Sequence, residues 1–431
     1  MAKDTNLNLR NQVIYQVFPR QHSSKSNFIG VIEDLDRIRN LGVDILYLLP
    51  IHPIGQKNKK GSLGCPYSIQ NYREINKDLG TLEDFKLLIR ETHSRGMKLI
   101  IDVVYNHTSR DSYLLDKHPE YFYKNKDGEF ANRVGDWWDV TDLDYSNKEL
   151  WEELISTLEY YVKLGVDGFR CDVASMIPLE FWKEVRRRLK EINPNIILLA
   201  ETIHLSFLKG IRDMGFEAHT DSEMYEAFDI EYEYDVYPLF QEYIEKGYGL
   251  NTWLKAILEQ ESRYPKNYIK IHGLENHDSK RIATTIKDED KLYNLNALMF
   301  FLKGTTFVYA GQEAMDDKLE SLFDIDLISW RKLSTSRLPY LMKVLSLVKK
   351  HPLFKEGNFD IKFHQEEIGH IIYQNETQII ECIANMSLIE TDIEVLTKDG
   401  NYINLIDGSS VEVRNAHLRI KKDPIVIISK K

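Results

Sequence analysis

The sequence predicts an α/β fold: an eight-unit (β/α)8 barrel of the TIM type, with a short insertion after strand 3 and a C-terminal all-β sandwich. The first observation is a repeated pattern of an amphipathic helix, a glycine and an apolar run, seen before VDILYLLP, MKLIIDVVYNH and VDGFRCDV. The second observation is that these apolar runs are continuous in Ile, Leu and Val, as in strands buried on both faces. The third observation is a change to short alternating runs from about residue 357 onward, which is typical of antiparallel sheets.

The predicted barrel strands follow one another along the chain with helices between them, which favours a parallel sheet. The helix predicted before VDGFRCDV, for example, carries Leu150, Leu154 and Leu158 at a spacing of four. Glycine past a helix end adopts the left-handed conformation at little cost, and Gly165 ends that helix. The eight strands are placed at residues 13–18, 45–49, 99–104, 168–172, 196–201, 216–219, 269–274 and 306–309.

Three parts of the chain follow from these patterns. Residues 1–107 and 148–350 are predicted to form the barrel. Residues 108–147 interrupt the third unit and are rich in Asp, Tyr and Trp, so they are interpreted as an inserted subdomain. Residues 351–431 are predicted to form the C-terminal β-sandwich domain.

Composition excludes several classes of function. The formal net charge is −11, whereas surfaces that bind nucleic acid are basic. No apolar stretch is long enough to span a membrane, and the N-terminal residues show no secretory signal. The three cysteines are far apart and lack the spacing of metal ligands, which favours a reducing compartment. We therefore expect a cytoplasmic protein without a cofactor.

Carboxylates stand at the ends of three predicted strands: Asp172 in GFRCDVAS, Glu201 in IILLAET and Asp278 in GLENHD. Side chains two apart on a strand share a face, so Arg170 is expected to lie beside Asp172 and to hold it ionised. Glu201 ends a very apolar strand, where desolvation raises the pKa of a carboxyl group. An acid paired with an anionic carboxylate at one end of a barrel is what cleavage of a glycosidic bond requires.

These motifs resemble those of the α-amylase family of glycoside hydrolases. DVVYNH, GFRCDVAS, AET and ENHD are similar to its four conserved regions, and the resemblance covers about residues 11 to 350. The family fold is a (β/α)8 barrel with an inserted domain and a C-terminal β-sandwich, and its reaction retains the anomeric configuration. The resemblance implies that Asp172 is the nucleophile, Glu201 the acid/base and Asp278 the transition-state stabiliser. It also assigns four substrate-binding residues: Tyr67, His107, Arg170 and His277.

Some positions depart from the family pattern. Met176 stands where many secreted amylases have a histidine that helps to bind a structural calcium ion, and the loop RQHSSKSNFIG lacks the acidic calcium loop of the oligosaccharide glucosidases. Asn106 is a calcium ligand in many members, but one oxygen ligand does not make a site, so no metal is predicted. Ile203 and His204 replace the aromatic residue that often follows the acid/base.

The predicted activity is hydrolysis of α-1,4 bonds in malto-oligosaccharides through a covalent glycosyl–enzyme intermediate. A 4-α-glucanotransferase and an exo-acting α-glucosidase, including one that cleaves α-1,6 bonds, remain open alternatives on the same fold. A glucan-binding protein without catalysis is a further alternative, although such proteins usually lack one of the carboxylates. The sequence leaves the oligomeric state and the choice between endo and exo attack open.

Overall fold

The computed structural model describes residues 2–364 and 367–431. Eight parallel strands close into a barrel in the order 1-8-7-6-5-4-3-2. They are β1 (Val13–Val17), β2 (Ile45–Leu48), β3 (Lys98–Val103), β4 (Gly168–Cys171), β5 (Ile197–Ala200), β6 (Ile230–Tyr232), β7 (Lys270–His272) and β8 (Gly304–Tyr309). The predicted fold class is confirmed, and seven of the eight strands overlap their predicted positions.

Helices surround the barrel and connect its strands. The longer ones are Leu82–Ser94, Lys148–Leu164, Leu179–Ile192, Leu205–Asp213, Tyr237–Lys246, Leu250–Arg263, Glu289–Phe301 and Leu338–Val348. Shorter α-helices are Pro19–His22, Phe28–Ile32, Leu35–Asn40, Tyr113–Lys117, Asp221–Met224, Ile282–Thr285 and Pro352–Glu356, and 3-10 turns are Leu7–Asn11, Pro119–Tyr121, Ala174–Met176 and Gln312–Ala314. Gly165 ends its helix with a φ of 108°, so the glycine stands where a side chain would be strained.

The continuous apolar runs of the strands serve two cores. Ile14, Tyr47, Ile100 and Leu199 belong to one cluster that fills the barrel. Alternate residues of the same strands, such as Leu46 and Ile101, belong to the cluster shared with the surrounding helices. Both faces of each strand are therefore buried, as the composition of these runs indicated.

The prediction for the sixth strand was wrong. Residues 216–219 are not a strand, because Phe216 and Ala218 pack with Ile211 and Met176 outside the barrel. The sixth strand is β6, which carries a glutamate at its centre. That residue, Glu231, is fully buried and lies 3.3 Å from the Lys270 ammonium on the neighbouring strand β7.

A short two-stranded sheet pairs the start of the insertion with its end. His107–Ser109 pairs antiparallel with Val140–Asp142, so the segment leaves and re-enters the barrel at one place. After the barrel, the described residues up to 431 form eight strands in two antiparallel four-stranded sheets. They are Asn358–Lys362, Ile368–Gln374, Gln378–Asn385, Thr391–Glu394, Gly400–Ile403, Ser410–Arg414, His417–Ile420 and Ile425–Lys430. The boundaries 107/108, 147/148 and 350/351 remain predictions.

The C-terminal sheets pack both on each other and on the barrel. Ile383 and Ile427 of one sheet and Leu418 and Ile420 of the other form one apolar cluster. On the opposite side, the Tyr373 hydroxyl donates to the Phe301 carbonyl at the end of a barrel helix, at 2.8 Å. Within the described ranges, no helix is both long and apolar enough to cross a membrane.

We expect Lys270→Met to lower the free energy of unfolding by about 3–5 kcal/mol, because it leaves buried carboxylates without their cation. The lysine pairs with Asp221 and Glu231, both largely buried, and lies 3.7 Å from Asp235. Urea unfolding at pH 7 measures the loss. The deficit should shrink as the pH falls, since burial raises the pKa of Glu231 and a protonated carboxyl needs no cation.

The double variant Lys270→Met, Glu231→Leu is the matched control. It removes one charge of each sign and should recover part of the lost stability. An unfolding midpoint for Lys270→Met equal to that of the wild type would contradict this account of the sixth strand.

Candidate active site

A cavity of about 320 Å³ opens at the carboxyl ends of the barrel strands, where a barrel of this type carries its active site. Five of the seven residues predicted for the site line it: Tyr67, His107, Asp172, Glu201 and Asp278. The other two, Arg170 and His277, are buried and contact the lining residues directly. The structure thus brings all seven predicted residues together, and their roles remain to be tested.

The Arg170 guanidinium contacts three carboxylates. Its Nη1 donates to Asp172 Oδ1 at 2.8 Å and to Asp102 Oδ1 at 2.8 Å, and its Nη2 lies 2.7 Å from Glu201 Oε1. The arginine and all three acids are at most 8% exposed. One cation therefore joins the predicted nucleophile and the predicted acid/base, which extend from the adjacent strands β4 and β5.

Asp102 holds this arginine in place from strand β3. Its Oδ2 accepts hydrogen bonds from the hydroxyls of Tyr47 and Tyr67, at 2.6 and 2.8 Å. Asp102 itself has no exposed surface, so it positions Arg170 and Tyr67 and does not reach the cavity.

The expectation that Arg170 keeps the pKa of Asp172 low is not met. Burial raises the pKa of Asp172 well above its usual range, although Arg170 opposes the effect, and the nearby Glu201 and Asp102 add to the rise. Burial likewise raises the pKa of Glu201, as its apolar strand indicated. The main physical reason is the desolvation of these buried carboxyl groups. In addition, a single guanidinium is shared among three carboxylates, whose mutual repulsion favours holding a proton.

His277 and Tyr67 form a second connected group. Their rings stack with centroids 5.3 Å apart and planes 10° apart, and the Tyr67 hydroxyl lies 2.6 Å from Nε2 of His277. The Gln16 amide donates to Nδ1 at 3.0 Å, so the hydrogen-bond network assigns a proton to Nε2. That nitrogen also lies 3.0 Å from Asp278 Oδ2.

Asp278 lies at the rim of the cavity, with 53% of its side chain exposed. Partial burial against the cavity wall raises its pKa, but the stronger combined effect of His277 and Arg170 lowers it. Asp278 is therefore ionised and accessible, which suits a group that accepts hydrogen bonds from hydroxyls of a bound molecule.

The inserted segment, residues 108–147, forms part of the wall of the cavity. Trp137 packs edge-on against the His107 ring, with centroids 5.3 Å apart, and both residues line the cavity. Burial lowers the pKa of His107, so the neutral imidazole faces the cavity. Trp138, in contrast, is 56% exposed, with the Lys60 ammonium 4.6 Å from its ring centre.

The residues around Asn106 do not fit a calcium ion. Asn106 Oδ1 accepts from Arg133 Nη2 at 2.8 Å, and the Arg133 Nε donates to Asp142 Oδ2 at 2.7 Å. A cation is thus already supplied by a side chain, and the oxygen of Asn106 is engaged by it. Across residues 2–364 and 367–431, no group of three or more His, Cys, Asp or Glu is arranged to hold a metal ion.

Val173, which follows Asp172, has an unusual backbone. Its φ is 36° and its ψ is 42°, a left-handed conformation that is costly for a β-branched residue. Its backbone N–H donates to Glu201 Oε2, at 2.8 Å. The residue after one predicted catalytic carboxylate therefore fixes the position of the other.

Several residues of the site were not predicted. Lys60 and Asp139 line the cavity as an ion pair, with Nζ 2.9 Å from Oδ1. Gln16 donates a hydrogen bond to His277, and Tyr47 donates one to Asp102. For Gln16 the sequence held a signal, since it is a polar residue inside the apolar strand VIYQV, whereas Lys60 and Asp139 lie in loops without a periodic pattern.

Comparisons with known proteins agree with this architecture. A family model described as "Alpha amylase, catalytic domain" matches residues 15–337, and one described as "Bacterial Alpha amylase C-terminal domain" matches residues 361–427. "Alpha-amylase 2" of Dictyoglomus thermophilum is 25% identical over 426 residues, which cover 92% of this chain and 71% of that protein.

Two solved structures are similar over nearly the whole chain. An α-amylase from Lactobacillus plantarum is 38% identical with a TM-score of 0.94, covering 98% of this chain and 100% of that one. A noncanonic maltogenic α-amylase from Thermotoga neapolitana is 31% identical with a TM-score of 0.87, at the same coverage. With the catalytic-domain model spanning most of the barrel, these findings show that this chain belongs to the α-amylase family of glycoside hydrolases.

Proposed function

We propose that this protein is a retaining α-glucan hydrolase that cleaves α-1,4 bonds of maltodextrins through a covalent glycosyl–enzyme intermediate. The observation that carries the proposal is the contact of one buried guanidinium with both Asp172 and Glu201 at the ends of adjacent strands. Retaining glycosidases need two carboxyl groups only about 5–5.5 Å apart, one as nucleophile and one as acid/base. The identity to α-amylases over nearly the full chain supports the same assignment.

In the first step, Glu201 gives its proton to the glycosidic oxygen while Asp172 attacks the anomeric carbon from the opposite face. The bond to the leaving sugar breaks, and an ester links Asp172 to the remaining glycosyl unit. The raised pKa of Glu201 suits this acid role. In the second step, Glu201 takes a proton from water, the water oxygen attacks the anomeric carbon, and Asp172 leaves with the configuration restored.

The other residues of the cavity bind the sugar that is being cleaved. Tyr67 offers a ring on which a glucose ring can stack. His107, His277 and Asp278 supply donors and an acceptor for its hydroxyls. A glucanotransferase would share the intermediate and differ only in using a sugar hydroxyl instead of water, so product analysis separates it from a hydrolase.

We place the enzyme in the cytoplasm, with soluble maltodextrin as its substrate. The three cysteines, all within the described ranges, form no disulfide, and Cys171 and Cys382 are buried. This usage fits a reducing compartment. The substrate is neutral, which suits a protein of net charge −11.

The test of function is hydrolysis of maltoheptaose, followed by chromatography of products and by NMR of the first anomer released. We expect short malto-oligosaccharides that appear first as the α-anomer, with little action on isomaltose. Glu201→Gln should lower kcat by about 10²–10⁴-fold, and Asp172→Asn should lower it at least as much, with unchanged melting temperatures. Release of the β-anomer first, or an active Asp172→Asn variant, would overturn the mechanism.

The pH profile tests the shared guanidinium. Asp172 must be ionised to attack, and because its pKa is raised, kcat/KM should fall on the acid side at a higher pH than an ordinary aspartate would give. Arg170→Gln removes the group that opposes this rise, so its acid limb should move to still higher pH. The control is Arg187→Gln, on an exposed helix face, which should leave the profile unchanged. An acid limb that moves to lower pH in Arg170→Gln contradicts the assignment.

We expect a calcium chelator to leave both activity and melting temperature unchanged, because Arg133 supplies the positive charge beside Asn106. Arg133→Ala should instead lower the melting temperature, since it leaves the buried Asp142 without its partner. Activity is measured before and after dialysis against chelator. Loss of activity that added calcium restores would show that the inserted segment holds an ion.

A further inference from the structure

A buried arginine stands behind the turn that carries His277 and Asp278. Arg281 has no exposed surface, and it follows Asp278 by three residues in the segment after strand β7. It is not among the residues that line the catalytic cavity, and the mechanism above gives it no part. A cation held at this depth so close to a site residue calls for a physical reason, because burying a charge is costly unless it is paired.

Glu275 joins the two ends of this turn. Its Oε1 accepts a hydrogen bond from Arg281 Nη1 at 2.7 Å, and its Oε2 accepts one from the backbone N–H of Ile282 at 2.6 Å. Glu275 is itself buried, so both bonds lie in a medium of low dielectric constant, where they are strong. The two carboxylate oxygens thus close residues 275–282 into a loop around the residues that reach the site.

The position of Asp278 depends on this turn. Its backbone N–H donates to Asn276 Oδ1 at 2.9 Å, within the same turn. His277 is also held from outside the turn, by the Gln16 amide and by the stacked ring of Tyr67. The Asp278 side chain, in contrast, extends to the rim of the cavity. Its carboxylate can therefore stay in place only as firmly as the turn is held.

Glu320 anchors the arginine to a second segment, the one that follows strand β8. Arg281 Nη2 lies 2.7 Å from Glu320 Oε2, and both side chains are fully buried. The planar guanidinium thus binds two carboxyl groups through different nitrogens, which a lysine could not reproduce. Burial raises the pKa of Glu320 to about 7, Arg281 opposes the rise, and a hydrogen bond with Asp316 adds to it. An uncharged acceptor is therefore tolerated at this position.

The fold leaves room for the guanidinium. Arg281 Cζ lies 4.1 Å from the centre of the Tyr309 ring, within the range of a cation–π contact. Gly311 faces it from the segment after β8, and a Cβ at that position would lie 3.0 Å from Arg281 Nη2. The φ of Gly311 is 97°, a conformation that glycine adopts at little cost. Packing as well as charge therefore fixes the arginine.

We propose that Arg281 is a positioning residue for the reaction: it holds Glu275, and with it the turn that carries Asp278, while Glu320 anchors it to the segment after β8. The inference rests on the proposed function, in which Asp278 accepts hydrogen bonds from hydroxyls of the sugar that is being cleaved. Arg281 touches no reacting atom and acts through the turn. Its removal should affect the catalytic step, since a misplacement of about 1 Å can cost about 10²-fold in rate.

A double-mutant cycle between Arg281 and Asp278 tests this role. The kcat and KM on maltoheptaose are measured for Arg281→Met, for Asp278→Asn and for the double variant. Glu320→Leu removes the anchor, whereas Glu320→Gln keeps an acceptor for the guanidinium. Near-UV circular dichroism at the assay temperature shows whether each variant is folded.

Arg10→Met is the matched control. Arg10 is also a buried arginine, and its Nη2 donates to the Tyr268 carbonyl at 2.9 Å. It precedes strand β1, so it lies at the amino end of the barrel, away from the cavity. Its replacement removes a buried guanidinium without touching the turn.

We expect Arg281→Met to lower kcat by about 10²-fold with little change in KM. Glu320→Leu should lower kcat by a smaller factor, which Glu320→Gln largely restores. In the Asp278→Asn background, Arg281→Met should cause no further loss, because the carboxylate that it positions is already absent. Arg10→Met should keep the wild-type kcat, although its melting temperature falls.

Other outcomes overturn the inference. Losses that multiply in the double variant would mean that Arg281 acts independently of Asp278. A folded Arg281→Met enzyme with the wild-type kcat, or an equal loss in Arg10→Met, would also contradict the role. If Arg281→Met does not fold, the same cycle is run with Glu320→Leu and read in the same way. A wild-type enzyme that does not cleave maltoheptaose would refute the proposed function itself, which is a distinct result.

Discussion

The buried contact of Arg170 with Asp102, Asp172 and Glu201 is the interaction on which the rest of the site depends. It joins three strands of the barrel at one point and places the carboxyl groups of Asp172 and Glu201, the proposed nucleophile and acid/base, beside the same cation. Because the carboxyl groups of Asp172 and Glu201 are buried, and because one positive charge serves three acids, the group favours a state that retains a proton. A double displacement needs such a state, with one protonated and one ionised partner. The hydroxyls of Tyr47 and Tyr67 hold Asp102 in this group through hydrogen bonds.

A second buried group of charges lies on the outer face of the barrel strands. Glu231 and Lys270 extend from adjacent strands into the layer between the strands and the helices, where a charge without a partner would be costly. In both places, at Lys270 and at Arg170, one buried cation is shared among several carboxylates. In one case the cation holds two strands together, and in the other it positions reactive groups.

Sequence reasoning predicted the fold, and it named seven residues that the structure brings together at one cavity, because both depend on local signals. Continuous apolar runs mark the strands, and polar residues at their carboxyl ends must converge in a parallel barrel. It failed where distant residues decide the outcome. The sixth strand was missed because its central Glu231 looks unsuited to a buried strand until Lys270 is placed beside it. The raised pKa of Asp172 and the Lys60–Asp139 pair likewise depend on neighbours that only folding supplies.

The left-handed backbone of Val173 has a consequence for how this enzyme can diverge. Its N–H holds Glu201, so the position of the acid is set by the main chain, while the Val173 side chain lines the cavity. The orientation of Glu201 and the lining of the cavity therefore depend on different atoms of one residue. A substitution of Val173 can therefore change the lining of the cavity while the backbone N–H that contacts Glu201 is kept.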